Sequence, residues 1–277
     1  MANSGNTTTD ALTDSIDSII SAARIVREFE GVMPQLVDKV TLGDGVGLTW
    51  NEVSYAQITA TAVTETTDLN NPQQLSDTLF SLTPTVVGIH TIITDRVAKR
   101  LNKAAFAKTG ALAQNAIQRK KDEDGLIVLD GATTSLSGAG TTLTSGTIAA
   151  AAVRITSNAT TPGIPPLRGV LHGFQIKDFY DEVTGGLGTY PIPEGETARV
   201  FKEGFKGQIA SVGIFEDGNI TIDSSSDSKG GVFAKEAIVM VQGRTLRTET
   251  ERKPNLGGGA TAMWMYDEYI YGERSAG

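Results

Sequence analysis

Between Asp95 and Lys121 the apolar residues Val97, Leu101, Ala104, Ala105, Leu112 and Ala116 recur on one side of a helix. At 1.5 Å per residue this predicts a rod of roughly 40 Å. Thr109-Gly110 is the natural place for a bend, and Gly125 is expected to end the rod. Leu126 to Leu129 then reads as a further helical turn or a short strand. The segment before the rod is as informative. Leu48 to Gln57 reads as strand, and Leu79 to Ile93 is β-rich again, with Phe80, Leu82, Val86, Val87, Ile89 and Ile92. Between them Thr59 to Gln74 is rich in Thr, Asn and Asp and holds too few large apolar groups to order itself as core. The expectation is a long two-stranded excursion with an irregular tip. An isolated hairpin is marginal in water, so this arm needs a partner to lie on.

The flanking segments read as follows. Leu12, Ile16, Ile19, Ile20, Ala23 and Val26 mark an N-terminal helix, capped by Thr9 or Asp10 and ended by Gly31. Whether it packs on its own core or on a neighbour is open from the sequence. Gly131 to Gly146 is a small-residue loop before an alanine-rich helix around Ile148 to Thr156, and Asn158 to Pro166 is the best internal boundary. Beyond it come a strand at Arg168 to Leu171 and a helix at Gly173 to Val183. Gln208 to Phe215 and Ile220 to Ile222 flank Glu216-Asp217-Gly218-Asn219, which predicts a tight hairpin. Ala237 to Val241 reads as a buried strand, and Ala262 to Tyr271 as a closing strand rich in aromatics.

Composition narrows the function classes. The chain has 277 residues, and 24 Lys+Arg against 32 Asp+Glu give a net charge of −8. That argues against a general nucleic-acid binder, which needs basic surface to displace counterions. The absence of cysteine excludes disulfides, thiolate metal sites and cysteine nucleophiles, and two histidines are too few for a histidine-rich metal site. No apolar run approaches the ~18 residues of a membrane span. The opening MANSGNTTTD lacks a basic, hydrophobic signal, so a soluble, intracellularly made protein is expected. The 31 glycines and a charged fraction of only 20% suggest many turns and a surface partly covered by something else.

Candidate chemistry is sparse. Gly43 to Gly47 has no Lys-Ser/Thr after it and reads as a tight turn, not a phosphate loop. Asp122-Glu123-Asp124 and Asp223 to Asp227 do not match a calcium loop and read as solvated acidic turns. His172 has no serine elbow to serve, and the S-x-x-K at Ser226 and K-T-G at Lys108 stand in the wrong order. The expectation is no catalytic residue, no metal and no cofactor, and hence not an enzyme.

Charge is segregated. No Lys or Arg occurs between Lys39 and Arg96, whereas Asp44, Glu52, Glu65, Asp68 and Asp77 fall inside. Arg96, Lys99, Arg100, Lys103, Lys108, Arg119, Lys120 and Lys121 then follow with no acid among them. The segregation reads either as a solvated basic helix or as an acidic arm and a basic helix that meet between chains.

The order of these parts resembles the major capsid proteins of tailed bacteriophages with the Hong Kong 97-type coat fold. The match is carried by the arm with a helix, the extended loop from about Thr41 to Leu82, and the spine helix leading to Leu129-Asp130-Gly131. Leu171-His172-Gly173-Phe174-Gln175-Ile176, the stretch Gly207 to Ile214, and Gly230 to Ile238 are similar to the family's axial domain. The resemblance implies an α+β fold. Its parts would be an N-terminal arm and helix over 1–40, an extended loop over 41–82, a peripheral domain over 83–160 and 255–277, and an axial domain over 161–254.

It further implies a homo-oligomer of hexamers and pentamers, closed into an icosahedral shell around double-stranded DNA held without sequence-specific binding. Such a protein is located in the virion capsid, is assembled in the host cytoplasm and does not engage a membrane. The opening polar segment, about ten residues, leaves no room for a fused scaffolding domain, so either a separate scaffolding protein acts or a longer precursor was cleaved. Met1 argues against cleavage if it is the genuine start; separate scaffolding, portal and decoration proteins are the partners the resemblance allows. An encapsulin-type compartment shell shares the fold, and a β-rich tail-tube or adhesin protein is the alternative from another class. The inter-subunit residues implied are Asp44, Trp50, Glu52, Tyr55, Glu65, Asp68 and Asp77 on the loop, against Arg96, Lys99, Arg100, Lys103 and Lys108 on the spine. Trp50 and Tyr55 would anchor the contact, and added salt would weaken it. A loop with Gly186, Gly188, Tyr190, Pro191, Pro193 and Glu194 would line the capsomer axis. Some relatives cross-link subunits through a lysine on the extended loop; here that loop has no lysine.

Overall fold

The computed structural model describes residues 30–66, 70, 72–100, 105–138, 140–185, 207–256 and 258–274. The helix expected over Leu12 to Val26, the axial-loop residues Gly186 to Glu194, Asp68 and Lys103 lie outside them.

The long closing strand organises the larger sheet. Strand β11 (Ala260–Glu273) alternates buried and half-buried residues over most of its length, the period-2 signature of a strand covered on one face. It pairs antiparallel with β4 (Thr85–Thr94) on one side, and with β10 (Arg247–Lys253) and β9 (Ile238–Gln242) on the other. Strand β1 (Asp38–Thr41) adds to β9 in parallel. The outer strand β10, Arg-Thr-Glu-Thr-Glu-Arg-Lys, has no apolar alternation because it is an exposed edge. Its charges keep that edge from pairing with other chains.

Over the expected spine, the described residues are helical in α2 (Asp95–Arg100) and α3 (Ala105–Asp130). Three expectations need correction. The buried stripe of α3 is Ala113, Ile117, Lys121, Asp122, Gly125 and Leu129, while Leu112, expected on the covered side, is 43% exposed. Gly125 does not stop the helix. It lies inside it, where a Cβ would come 2.9 Å from the Cβ of Met33, and residues 126–129 continue as helix. The short helix α1 (Met33–Leu36) therefore packs against the spine at a point where only glycine leaves room. Asp122 is fully buried, not part of a solvated turn.

The smaller sheet has the order β6 (Gln208–Ile209), β7 (Val212–Glu216), β5 (Leu167–Leu171), β8 (Gly231–Ala234), with β5 and β7 parallel. Helices α4 (Ser145–Thr156) and α5 (Gly173–Gly185) cover it through Ile148, Ala152 and Phe179, packed with Leu167, Leu171 and Val212. Thr144 caps α4 by accepting from the Thr147 N–H. The hairpin expected at Glu216 to Asn219 is absent. The tight turn is Ala210-Ser211, between β6 and β7, with φ of 48° and 68°. Asp217 is instead buried, and its N–H donates to the Leu171 carbonyl. The segment 161–254, expected as one axial unit, contributes β5 to β8 to the smaller sheet and β9 and β10 to the larger.

The two sheets share a core. Met33, Leu36 and Leu129 meet Val170 and Phe233 from the smaller sheet and Met240, Tyr269 and Tyr271 from the larger. The remaining strands, β2 (Trp50–Tyr55) and β3 (Asp77–Leu82), form a separate two-stranded ribbon.

Candidate assembly surface

The ribbon has two unlike faces because its side chains alternate. Its register pairs Trp50 with Leu82, Glu52 with Phe80, Val53 with Leu79 and Tyr55 with Asp77. Trp50, Glu52, Phe80 and Leu82 therefore share one face, which docks on the end of β11. Trp50 and Phe80 meet edge-on with ring centroids 6.0 Å apart. Phe80 and Leu82 crowd Gly272 so closely that a Cβ there would lie 2.7 Å from Leu82.

Arg274 fastens this face. Its Nε donates to Glu52 Oε2 at 2.7 Å, and its Nη1 donates to Asp38 Oδ2 at 3.1 Å and to the Glu236 carbonyl at 3.2 Å. The guanidinium also lies 5.7 Å from the centre of the Trp50 ring. One side chain thus ties the ribbon to β1 and to the turn before β9.

The other face carries Val53, Leu79 and Tyr55, which are 46%, 61% and 71% exposed. Ile58 and Leu75 continue the exposed apolar surface toward the tip. There the backbone is held by Ala56 N–H donating to Ser76 O at 2.9 Å and Thr59 N–H donating to Gln73 Oε1 at 2.9 Å. Gln57 Nε2 donates to Thr160 O at 3.0 Å, so the ribbon also touches the connector after α4. At the stem, Thr49 and Thr83 hydroxyls lie 2.9 Å apart, and Gly45 and Gly47 adopt φ of 82° and 110°, conformations that favour glycine.

Asp44, Glu65 and Asp77 are exposed on the stem turn, the tip and the start of β3. Arg96 and Lys99 are exposed on α2, Lys108 is half-buried on α3, and the Arg100 side chain lies outside the described residues. Several described residues of the two charged segments form ion pairs within the chain. Glu52 pairs with Arg274, while Arg119, Lys120 and Lys121 pair with Glu123, Asp124 and Asp267. Asp95 receives both terminal nitrogens of Arg252 at 2.5 Å, which hold its carboxyl below the usual carboxylate range. Sequence reasoning missed Arg252 and Arg274 as anchors. No local pattern marks them, since their partners lie 157 and 222 residues away.

His172 Nδ1 accepts from the Phe174 N–H at 3.2 Å at the start of α5, and His90 stacks on Trp264 at 4.7 Å. Among the described residues no cluster of three or more acidic or histidine side chains is placed to hold a metal ion. No described helix is long and apolar enough to cross a membrane.

No protein-family model matches the chain, and no curated protein is similar to it in sequence. Solved structures are similar over nearly its whole length. A structure titled for Mycobacterium phage Che8 shares 15% identity at a TM-score of 0.70, covering 92% of this chain and 93% of that one. The capsid structure of cyanophage P-SCSP1u shares 12% identity at 0.69, over 100% and 94% of the two chains. The mature capsid of bacteriophage PhiM1 shares 13% identity at 0.66, over 94% and 88%. The chain has the α+β fold of these phage capsid subunits, the Hong Kong 97-type coat fold that the order of its parts implies.

Proposed function

We propose that this chain, which has the fold of phage coat subunits, is a major capsid protein. Hexamers and pentamers of it would close into an icosahedral shell around double-stranded DNA, with separate scaffolding, portal and decoration proteins as partners. The observation that carries the reading is the ribbon. Its inner face is docked, yet its outer face leaves Val53, Tyr55 and Leu79 in water. Burying an apolar side chain of this size contributes about 1.5–3 kcal/mol, so a surface of this kind is suited to a second copy of the chain. Acidic residues flank that face, and Arg96 and Lys99 are exposed on α2, which suits a neighbour's ribbon lying along the spine. The protein acts as structure and not as an enzyme; it is located in the virion, after assembly in the host cytoplasm.

Electron microscopy of the expressed full chain tests this. Closed shells are expected, with nucleic acid in particles taken from infected cells; enzyme cargo in place of nucleic acid would favour a compartment shell. The triple variant Val53→Ser, Tyr55→Ser, Leu79→Ser is expected to fold normally and to form no shells. Tubes or persistent monomers from the unaltered chain would overturn the proposal.

A further inference from the structure

Two carboxyl groups, Asp122 on α3 and Asp217 in the turn after β7, are fully buried and are bridged by Asn219, which donates to both. Around them, four N–H donors serve four carboxyl oxygens. Asp122 Oδ1 accepts from Met33 N–H at 2.9 Å, and Asp217 Oδ2 accepts from Val32 N–H at 3.4 Å. Asn219 supplies the other two, its backbone N–H to Asp217 Oδ1 at 2.9 Å and its Nδ2 to Asp122 Oδ2 at 2.8 Å. The backbone of Gly31 passes so near that a Cβ there would lie 2.1 Å from Asp122 Cγ. We propose that the Asp122–Asp217 pair is a proton-operated clasp that grips the backbone of residues 31–33 against the spine helix and the smaller sheet.

The donors that serve the pair are neutral, and the cations on the elements that meet here are committed elsewhere. On α3, Lys121 lies 2.7 Å from Asp267 and donates to Gln242, while Arg119 and Lys120 pair with Glu123 and Asp124. On β5, Arg168 donates to the Leu36 carbonyl. Strand β11 brings the Tyr271 hydroxyl near Asp122, while the Tyr269 hydroxyl is turned to Asp124, to which it donates at 2.9 Å. A single negative charge suits this setting. A second, in a buried site with no counter-ion among the described residues, is strongly disfavoured. Burial first, and then the charge of Asp122, push the Asp217 carboxyl up to about 7, against the pull of the Asn219 N–H.

The sign follows from linkage. When residues 31–33 lift away, water reaches the pair and Asp217 returns toward its ordinary value of 3.8. From about pH 4 to 7 the closed clasp keeps a proton that the open one has lost, so opening becomes easier as pH rises through that window. Above 7 both forms are deprotonated and the effect levels off. The clasp is closed in acid and loosened at neutral pH.

The chain contains no cysteine, so one introduced thiol reports the clasp cleanly. In the full-length chain, the labelling rate of Val32→Cys by a dipyridyl disulfide is divided by that of Ser137→Cys, an exposed reference. The ratio is expected to rise by up to roughly tenfold per pH unit between pH 5 and 7, one proton being linked to opening, and then to flatten. Asp217→Asn, which cannot ionise, is expected to abolish the rise; Asp122→Asn, which removes the neighbouring charge but leaves Asp217 buried, is expected to reduce it and serves if the first variant folds poorly. A flat ratio in the unaltered background overturns the proposal, as does an equal rise in a folded Asn variant.

Discussion

Lys120 and Lys121 are neighbours in sequence, yet the first is half-exposed beside Asp124 while the second is buried against Asp267 and 4.8 Å above the Tyr269 ring. The difference is one of helix phase: position 121 falls on the stripe that also buries Ile117 and Gly125. A buried ion pair adds little over an apolar pair of the same shape, but removing one partner strands the other. Lys121→Met would leave the Asp267 carboxylate with only the Gln242 amide and the Glu268 N–H as donors. We predict a loss of about 3–5 kcal/mol, read by urea unfolding of the subunit, with most of it recovered on adding Asp267→Asn. A single-variant loss below about 1 kcal/mol would mean that water reaches Asp267 and that the pair is not truly buried.

At the scale of elements, the ribbon is held to the body along its inner face and, through Gln57, beside the connector after α4. Its own strands pair only with each other, and a lone hairpin is marginal in water. Its inclination to the body is set by the contact of Phe80 and Leu82 with Gly272 and by Arg274, which reaches Glu52, Asp38 and the Glu236 carbonyl together. These pairs are partly solvated, so Arg274→Ala is predicted to lower subunit stability by only about 1 kcal/mol or less. Its effect on assembly should be larger, because a ribbon free to swing must be ordered again at every contact. Light scattering during assembly is expected to show a slowed rate in Arg274→Ala. An intermediate rate is expected in Arg274→Lys, which keeps the charge and loses the planar fork. Assembly of Arg274→Ala at the unaltered rate would show that the fastening has no part in orienting the ribbon.

At the scale of the whole molecule, the proposed assembly would rest on many weak contacts. The ribbon stretch from Thr41 to Leu82 carries no lysine and so has no amine for an isopeptide bond to a neighbour. Mature particles boiled in denaturant are therefore expected to run as a single 29.2 kDa species. A ladder of its multiples would show that a lysine from elsewhere in the chain reaches a partner. In the proposed shell, with no covalent links from the ribbon, non-covalent contacts would hold register, and charge pairs at exposed positions reach only about 8 Å at physiological salt.

Much of the element pattern was legible in the sequence. The ribbon strands, α4, the strand at Leu167–Leu171 and the long β11 announce themselves through a local pattern over a few consecutive residues, and β9 through an unbroken apolar run. The order of those elements was enough to imply the fold. Tertiary structure alone decided how particular residues are used. Gly125 reads as a helix stop until Met33 is brought against it, and Asp217-Gly218 reads as a hairpin turn until Asp217 is drawn under the backbone of Val32. Edge strand β10 has no alternation to read, because neither of its faces is deeply buried. Arg274, Arg252 and the Asp122–Asp217 pair gain their roles from partners roughly a hundred or more residues away. A periodicity depends on the next few side chains, whereas a close approach or a buried charge depends on what the rest of the chain folds against it.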